Sequence, residues 1–161
     1  MFNVVLYKPE IPPNTGNIGR LTLGSGCKLS IVGEPLFELD NDSAVKRAGL
    51  DYWENVELQQ YDDWTTYIDS DSPKSRFLIT KFADRPYHSA EFYPGDHLIF
   101  GGETRGVPDS IQNSSTVKPI CIPMKNEVRS YNLANSVAVV LFEALRQVNP
   151  DWFNNTPYSR G

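Results

Sequence analysis

The sequence predicts an α/β fold, a mostly parallel sheet flanked by helices on both faces. Two features of the chain point to it. Short apolar runs bounded by turn residues recur along the sequence, and stretches with helix-start signals fall between them. The runs are apolar almost throughout rather than alternating, as strands covered on both faces are.

The strands are expected at 2–7 (FNVVLY), 28–32 (KLSIV), 76–80 (RFLIT), 97–101 (HLIFG) and 119–123 (PICIP), with 56–61 (VELQQY) a weaker sixth. Between them, Asn14 and Thr15 are placed to cap a helix that runs through Gly26. Asp42 is placed to cap a helix over 43–50, and Asp62 one over DWTTYIDS. Pro108 suits the first turn of a short helix, PDSIQN. No internal repeat or low-complexity linker interrupts residues 1–161, so one domain is expected. Its turn-rich tail, 150–161, is expected to be loosely held, with Trp152 and Phe153 available to dock it.

The last helix, expected over 132–147, is the most apolar. Leu133, Val137, Val140, Leu141, Ala144, Leu145 and Val148 form its sheet-facing stripe, while Ala138, Val139 and Phe142 fall outside it. A helix apolar on nearly every side must be buried on nearly every side. Burial against a second copy of the chain is therefore expected.

Composition sets the outer limits. A chain of 161 residues that is 40% hydrophobic and 22% charged is an ordinary globular one. No apolar run reaches the ~18–20 residues of a membrane span, and the N-terminus lacks a signal peptide's basic region. A cytoplasmic protein with no membrane partner is expected. Cys27 and Cys121 form no CxxC, and His88 and His97 have no metal-ligand spacing, so no metal site is expected. The net charge is −5, yet residues 34–71 hold 11 of the 20 acids against only Lys46 and Arg47. The remainder of the chain carries an excess of bases and can present a basic face.

Three unusual loops follow strands, and an open α/β sheet gathers ligands beyond its strands' carboxyl ends. The first, KPEIPPNTGNIGR, has the adjacent stiffening prolines Pro12 and Pro13, turn-forming Asn14, Gly16, Asn17 and Gly19, and then Arg20. The second, FGGETRGVP (100–108), has glycines that allow close backbone approach, but it is neither GxGxxG nor a phosphate-binding P-loop. The third is the elbow at 122–133, where Arg129, Ser130, Tyr131 and Asn132 stand before the apolar helix.

In this order, N-x₅-R, FGGETRG and IPM…RSYNLANSVAVVLFEALRQ resemble the three motifs of the SPOUT superfamily of RNA methyltransferases. The resemblance runs almost end to end, through VLYKPEIPPNTGNIGR and KRAGLDYW, and is closest to the small TrmL-like (YibK-like) branch. It implies an α/β domain with a C-terminal deep trefoil knot, homodimeric, using S-adenosylmethionine and no metal. The implied reaction is 2′-O-methylation of the tRNA wobble nucleotide, cytidine or 5-carboxymethylaminomethyluridine, with the anticodon stem-loop as partner. By the same resemblance, Leu78, Gly101, Ile122, Met124, Ser130 and Leu133 bind the donor and Arg20 is catalytic. Arg20 acts as base only if its pKa is strongly depressed; otherwise it positions phosphate and stabilises the developing oxyanion.

The chain departs from the family pattern at Phe142, where Tyr is frequent, and at Cys121, where Arg is frequent. Lys46, Arg47, Lys81, Arg85, Lys125 and Arg129 remain as candidate phosphate contacts. Two alternatives stay open: methylation of another tRNA or rRNA ribose, or an RNA-binding module without catalysis.

Overall fold

The computed structural model describes residues 1–39, 50–70 and 72–151, with the side chains of residues 50 and 51 excepted. Six strands form one sheet: β1 (Asn3–Tyr7), β2 (Lys28–Val32), β3 (Leu58–Tyr61), β4 (Arg76–Ile79), β5 (His97–Gly101) and β6 (Lys118–Ile120). Their order is β3-β2-β1-β5-β4-β6, and every pairing is parallel. The expected α/β class and mostly parallel sheet are therefore present. β2 and β5 have their expected bounds. The last strand lies earlier than expected, because Cys121 makes only an isolated bridge to Pro86 and the chain then leaves the sheet.

Period-two alternation divides the strand side chains between two cores. Val4, Leu6, Leu29, Ile31, Phe77, Leu98 and Phe100 pack on one face with Val137, Val140, Leu141 and Ala144. Val5, Val32, Leu78 and Ile99 pack on the other with Tyr61 and Tyr67. Each such fully buried aliphatic side chain contributes about 1.5–3 kcal/mol of transfer free energy. At the strands' amino ends the second face turns polar. The Tyr67 hydroxyl lies 2.7 Å from Nδ1 of His97, and Ser30 donates to Asn3 at 3.0 Å.

Among the described residues, four α-helices accompany the sheet: α1 (Pro12–Ser25), α2 (Trp64–Ser70), α3 (Asp109–Gln112) and α4 (Leu133–Val148). The start of α1 differs from expectation. Pro12 and Pro13 open it, since a proline needs no N–H partner in the first turn, and Asn14 and Thr15 lie inside it. Gly16, Asn17 and Gly19 are therefore helical rather than turn-forming. Gly19 leaves room for Trp53, whose ring atom would stand 2.5 Å from a Cβ there. For α2 the cap is Asp63, not Asp62, because Asp63 Oδ1 accepts from the Thr66 N–H at 2.8 Å. Pro108 is the residue before α3 rather than its first turn.

α4 has the expected stripe: Leu133, Val137, Val140, Leu141, Ala144 and Leu145 are buried. Val139 and Phe142, outside the stripe, are 42% and 38% exposed. No helix among the described residues is long and apolar enough to cross a membrane. The expected helix capped by Asp42, the basic pair Lys46 and Arg47, and the tail residues Trp152 and Phe153 lie outside the described residues, apart from Leu50, which opens a 3₁₀ turn.

Candidate active site

Because all six strands run the same way, the loops after β1, β4, β5 and β6 share one end of the sheet. From β1 the sheet grows through β2 and β3 on one side and through β5, β4 and β6 on the other. The carboxyl ends of β1 and β5 thus flank the place where strand order reverses, the usual position of a ligand in such folds. A cleft of about 760 Å³ opens there, within the size range of small-molecule and cofactor sites. Leu78, Phe100 and Leu133 are buried beneath it, Ile122 and Met124 add half-buried apolar surface, and the irregular segment 129–132 supplies polar groups.

One hydrogen-bonded chain ties the three unusual loops together. Glu103, in the loop after β5, accepts from the N–H of Glu10 at 2.8 Å and from Nδ2 of Asn14 at 2.9 Å. Asn14 Oδ1 in turn accepts from Nδ2 of Asn132 at 3.0 Å. Asn132 Oδ1 accepts from the Asn135 N–H and so caps α4. In the reverse direction, Glu10 Oε1 accepts from the N–H groups of Thr104 and Arg105, at 3.1 and 3.4 Å. The Thr104 hydrogen bonds hold the Glu10 carboxyl below its ordinary pKa, with help from the Arg105 N–H and charge and against a smaller effect of burial. Each loop is fixed by a carboxylate or amide from another, so the cleft is shaped before any ligand arrives.

The glycines of FGGETRG permit this packing while they line the cleft. A Cβ on Gly101 would lie 2.4 Å from the Gly106 carbonyl carbon, where the loop returns on itself through the Gly102–Gly106 bridge. A Cβ on Gly102 would lie 2.7 Å from the Lys8 carbonyl oxygen of the first loop. Lys8 itself turns the chain out of β1 with a left-handed φ of 45°, a conformation costing a non-glycine residue about 1–2 kcal/mol.

Leu78, Gly101, Ile122, Met124, Ser130 and Leu133, drawn from three separate stretches of sequence, all line this one cleft. Arg20 does not line it. It is exposed on α1, with its guanidinium carbon 5.8 Å from the centroid of the Tyr52 ring. Lys81 and Arg129, candidate phosphate contacts, border the cleft together with Arg105, whereas Arg85 donates to the Ser89 carbonyl at 2.7 Å and Lys125 is not among the lining residues. Glu103, hydrogen-bonded to the first loop, is the one carboxylate among the lining residues against the three cations Lys81, Arg105 and Arg129, so the cleft's rim carries a positive excess on an acidic protein. From the sequence, Asn14 reads as a cap or turn residue, and nothing local marks Glu103 as the centre of this network. A carboxylate held between glycines was the available signal, but its partners lie up to 93 residues away.

Residues 1–142 match the model of the SpoU rRNA Methylase family. The chain belongs to that family. Its matched span contains all three loops and most of α4, in agreement with the motif resemblance. The tRNA (cytidine(34)-2′-O)-methyltransferase of Burkholderia ambifaria is 44% identical over 151 residues, covering 91% of this chain and 96% of that protein. The protein of the same name from Escherichia coli K12 is 45% identical, over 92% of this chain and 94% of its own. A solved structure described as "Structural insights into the 2-OH methylation of C/U34 on tRNA" superposes with a TM-score of 0.85 at 36% identity, covering 91% of this chain and 95% of that one. The SpoU methyltransferase AviRb from Streptomyces viridochromogenes, in complex with AdoMet, gives 0.78 at 21% identity over 90% of this chain and 59% of its own, a likeness of fold alone.

Proposed function

We propose that this chain is an S-adenosylmethionine-dependent tRNA 2′-O-ribose methyltransferase acting on the wobble nucleotide. The observation that carries this reading is the cleft, where the three motif loops are locked around an apolar floor and a positive rim. The activities of relatives at 44% and 45% identity, which this chain spans almost entirely, supply the tRNA and the position.

The donor fits the lining. A neutral adenine and ribose suit Leu78, Ile122, Met124 and Leu133, and the irregular backbone of 122–133 and the loop after β5 lie within reach for main-chain recognition. When bound, S-adenosylmethionine supplies an electrophilic methyl group. On the protein's side, Ser130, which lines the cleft, would stand beside the donor, and Arg105 and Arg129 would attract phosphate. Arg20, on the neighbouring helix, is assigned to the acceptor: it binds phosphate or stabilises the 2′-oxygen as its proton leaves. The C-terminal trefoil knot belongs to the same reading. So does a homodimer built on the outer face of α4, where exposed Val139 borders an apolar recess shared with Ile122 and Tyr131.

The test is transfer of labelled methyl to unmodified tRNA, followed by nucleoside mass spectrometry. Label is expected at the wobble ribose and is expected to vanish when that nucleotide is 2′-deoxy. Label on ribosomal RNA fragments alone would replace the proposed substrate, and failure to bind the donor would remove the enzymatic reading.

A further inference from the structure

We infer that Phe82, paired with Lys81, is a stacking platform for an unpaired base of the substrate RNA. The inference rests on the methyltransferase reading and adds to it a base contact.

Phe82 is 71% exposed, yet it borders the donor cleft. A solitary exposed apolar side chain is common and means little, but three further observations separate this one. First, the turn that presents it is anchored at both ends. On one side the Thr80 N–H donates to the Ile120 carbonyl at 2.9 Å. On the other, the Cys121 N–H donates to Arg85 and the Tyr87 N–H to Cys121, each at 2.8 Å. Within the turn, the Phe82 N–H donates to Thr80 Oγ1 at 3.3 Å. The ring is therefore carried on an extension of the sheet. Second, Lys81 Nζ lies 5.2 Å from the centroid of the Phe82 ring, so a cation and a π-face are offered together. Third, the rest of the rim carries Arg105 and Arg129, and its one carboxylate, Glu103, is already bound by the loops.

This combination fits single-stranded RNA better than the donor. A cation that meets a phosphate and an exposed aromatic that meets a base face are the two elements of single-strand recognition. Leu78 and Leu133, the residues proposed to hold the donor, lie deeper and are buried. A nucleotide whose ribose enters the cleft must leave its stacked neighbours, and a flat apolar surface at the mouth replaces the stacking that it or an adjacent base gives up.

The experiment uses the full chain and an anticodon stem-loop RNA with 2-aminopurine placed singly at and beside the wobble position. On binding to the wild-type protein, fluorescence at one position is expected to quench by stacking. Phe82→Ala is expected to abolish that quenching and to weaken RNA binding about tenfold or more, the scale of base–aromatic stacking. Phe82→Trp is expected to restore both, and Phe82→Leu, apolar but without a π-face, neither. Donor affinity by calorimetry and the melting temperature are expected to stay unchanged in all three. RNA affinity that ignores the substitutions, rescue by Leu equal to that by Trp, or loss of donor binding in Phe82→Ala would each overturn the inference. Wild-type protein that binds the donor but no RNA would remove the tRNA reading as well, which separates the two failures.

Discussion

Arg20 and Glu10 both stand on the first motif, but the fold gives them different work. Arg20 lies outside the cleft, above Tyr52, so removing it takes nothing away from the donor's lining. Arg20→Ala is expected to keep donor affinity while single-turnover methylation of tRNA falls by about a hundredfold or more, the scale of losing an oxyanion stabiliser or a general base. Arg20→Lys is expected to recover little, because an ammonium does not reproduce the guanidinium fork. A near wild-type rate in Arg20→Ala would end its assignment to the chemistry. Glu10, by contrast, holds the loop after β5 through Thr104 and Arg105, and those contacts lower its pKa from 4.5. A lowered carboxyl adds stability that is fully present above the unfolded value and is lost as pH falls through the folded one. Donor affinity is thus expected to hold from neutral pH down to about 4.5 and to decline below it. In Glu10→Gln that part of the acid dependence is expected to disappear, with affinity already reduced at neutral pH. Calorimetric titrations across the acid range would read both effects, and an unchanged acid limb in Glu10→Gln would remove the carboxylate's role.

At the scale of elements, Asn132 joins two functions that a single substitution can separate. Its Oδ1 caps α4 through the Asn135 N–H, and its Nδ2 donates to Asn14. Asn132→Asp keeps an acceptor at the cap and a favourable charge at the helix start, but it sets a carboxylate oxygen against Asn14 Oδ1. Asn132→Ala loses both contacts. The alanine variant is expected to lose about 1 kcal/mol of stability. The aspartate variant is expected to melt near wild type and yet bind the donor several-fold more weakly. Equal donor affinity in wild type and Asn132→Asp would show that the loops do not need this link. The same residues mark what could be read from the sequence. β2 and β5 were legible to the residue because apolar runs between turn residues leave few alternatives. The α1 start was misplaced because Asn14 looks like a cap, while the local rule that prevails is proline in the first turn. The donor-site candidates came from motif order, and the fold brings them to one cleft. The tie from Glu103 through Asn14 to Asn132 was not legible, since its bonds span 89 and 118 residues and no local pattern encodes them. For the same reason, the close approach of Gly101 to Gly106 and of Gly102 to Lys8 could not be read from the glycines of FGGETRG alone.

For the molecule as a whole, an acidic protein must hold a polyanion, and one that turns its apolar helix outward must cover it. The described rim answers the first requirement locally, with Lys81, Arg105 and Arg129 against the single carboxylate of Glu103, which is hydrogen-bonded to the first loop. The outer face of α4 poses the second. Val139 is 42% exposed and Phe142 38%, and beside Val139 an apolar recess of about 200 Å³ is lined by Ile122, Tyr131, Asn135 and Ser136. Ile122, Tyr131 and Ser136 also line the larger cleft, the proposed donor site, so whatever covers this face abuts it. A second copy, packing α4 against α4, would bury the exposed apolar residues and close the cleft's flank at once. Val139→Glu and Phe142→Glu place a carboxylate in that contact with no opposing cation supplied, which is costly when water is excluded. Sedimentation equilibrium is expected to give a dimer for the wild type and self-association weakened roughly a hundredfold or more for each variant. Their circular dichroism is expected to stay that of the folded chain, because neither residue belongs to the buried stripe. Variants that remain dimers of unchanged strength would place the partner elsewhere and leave the outer face of α4 without an occupant.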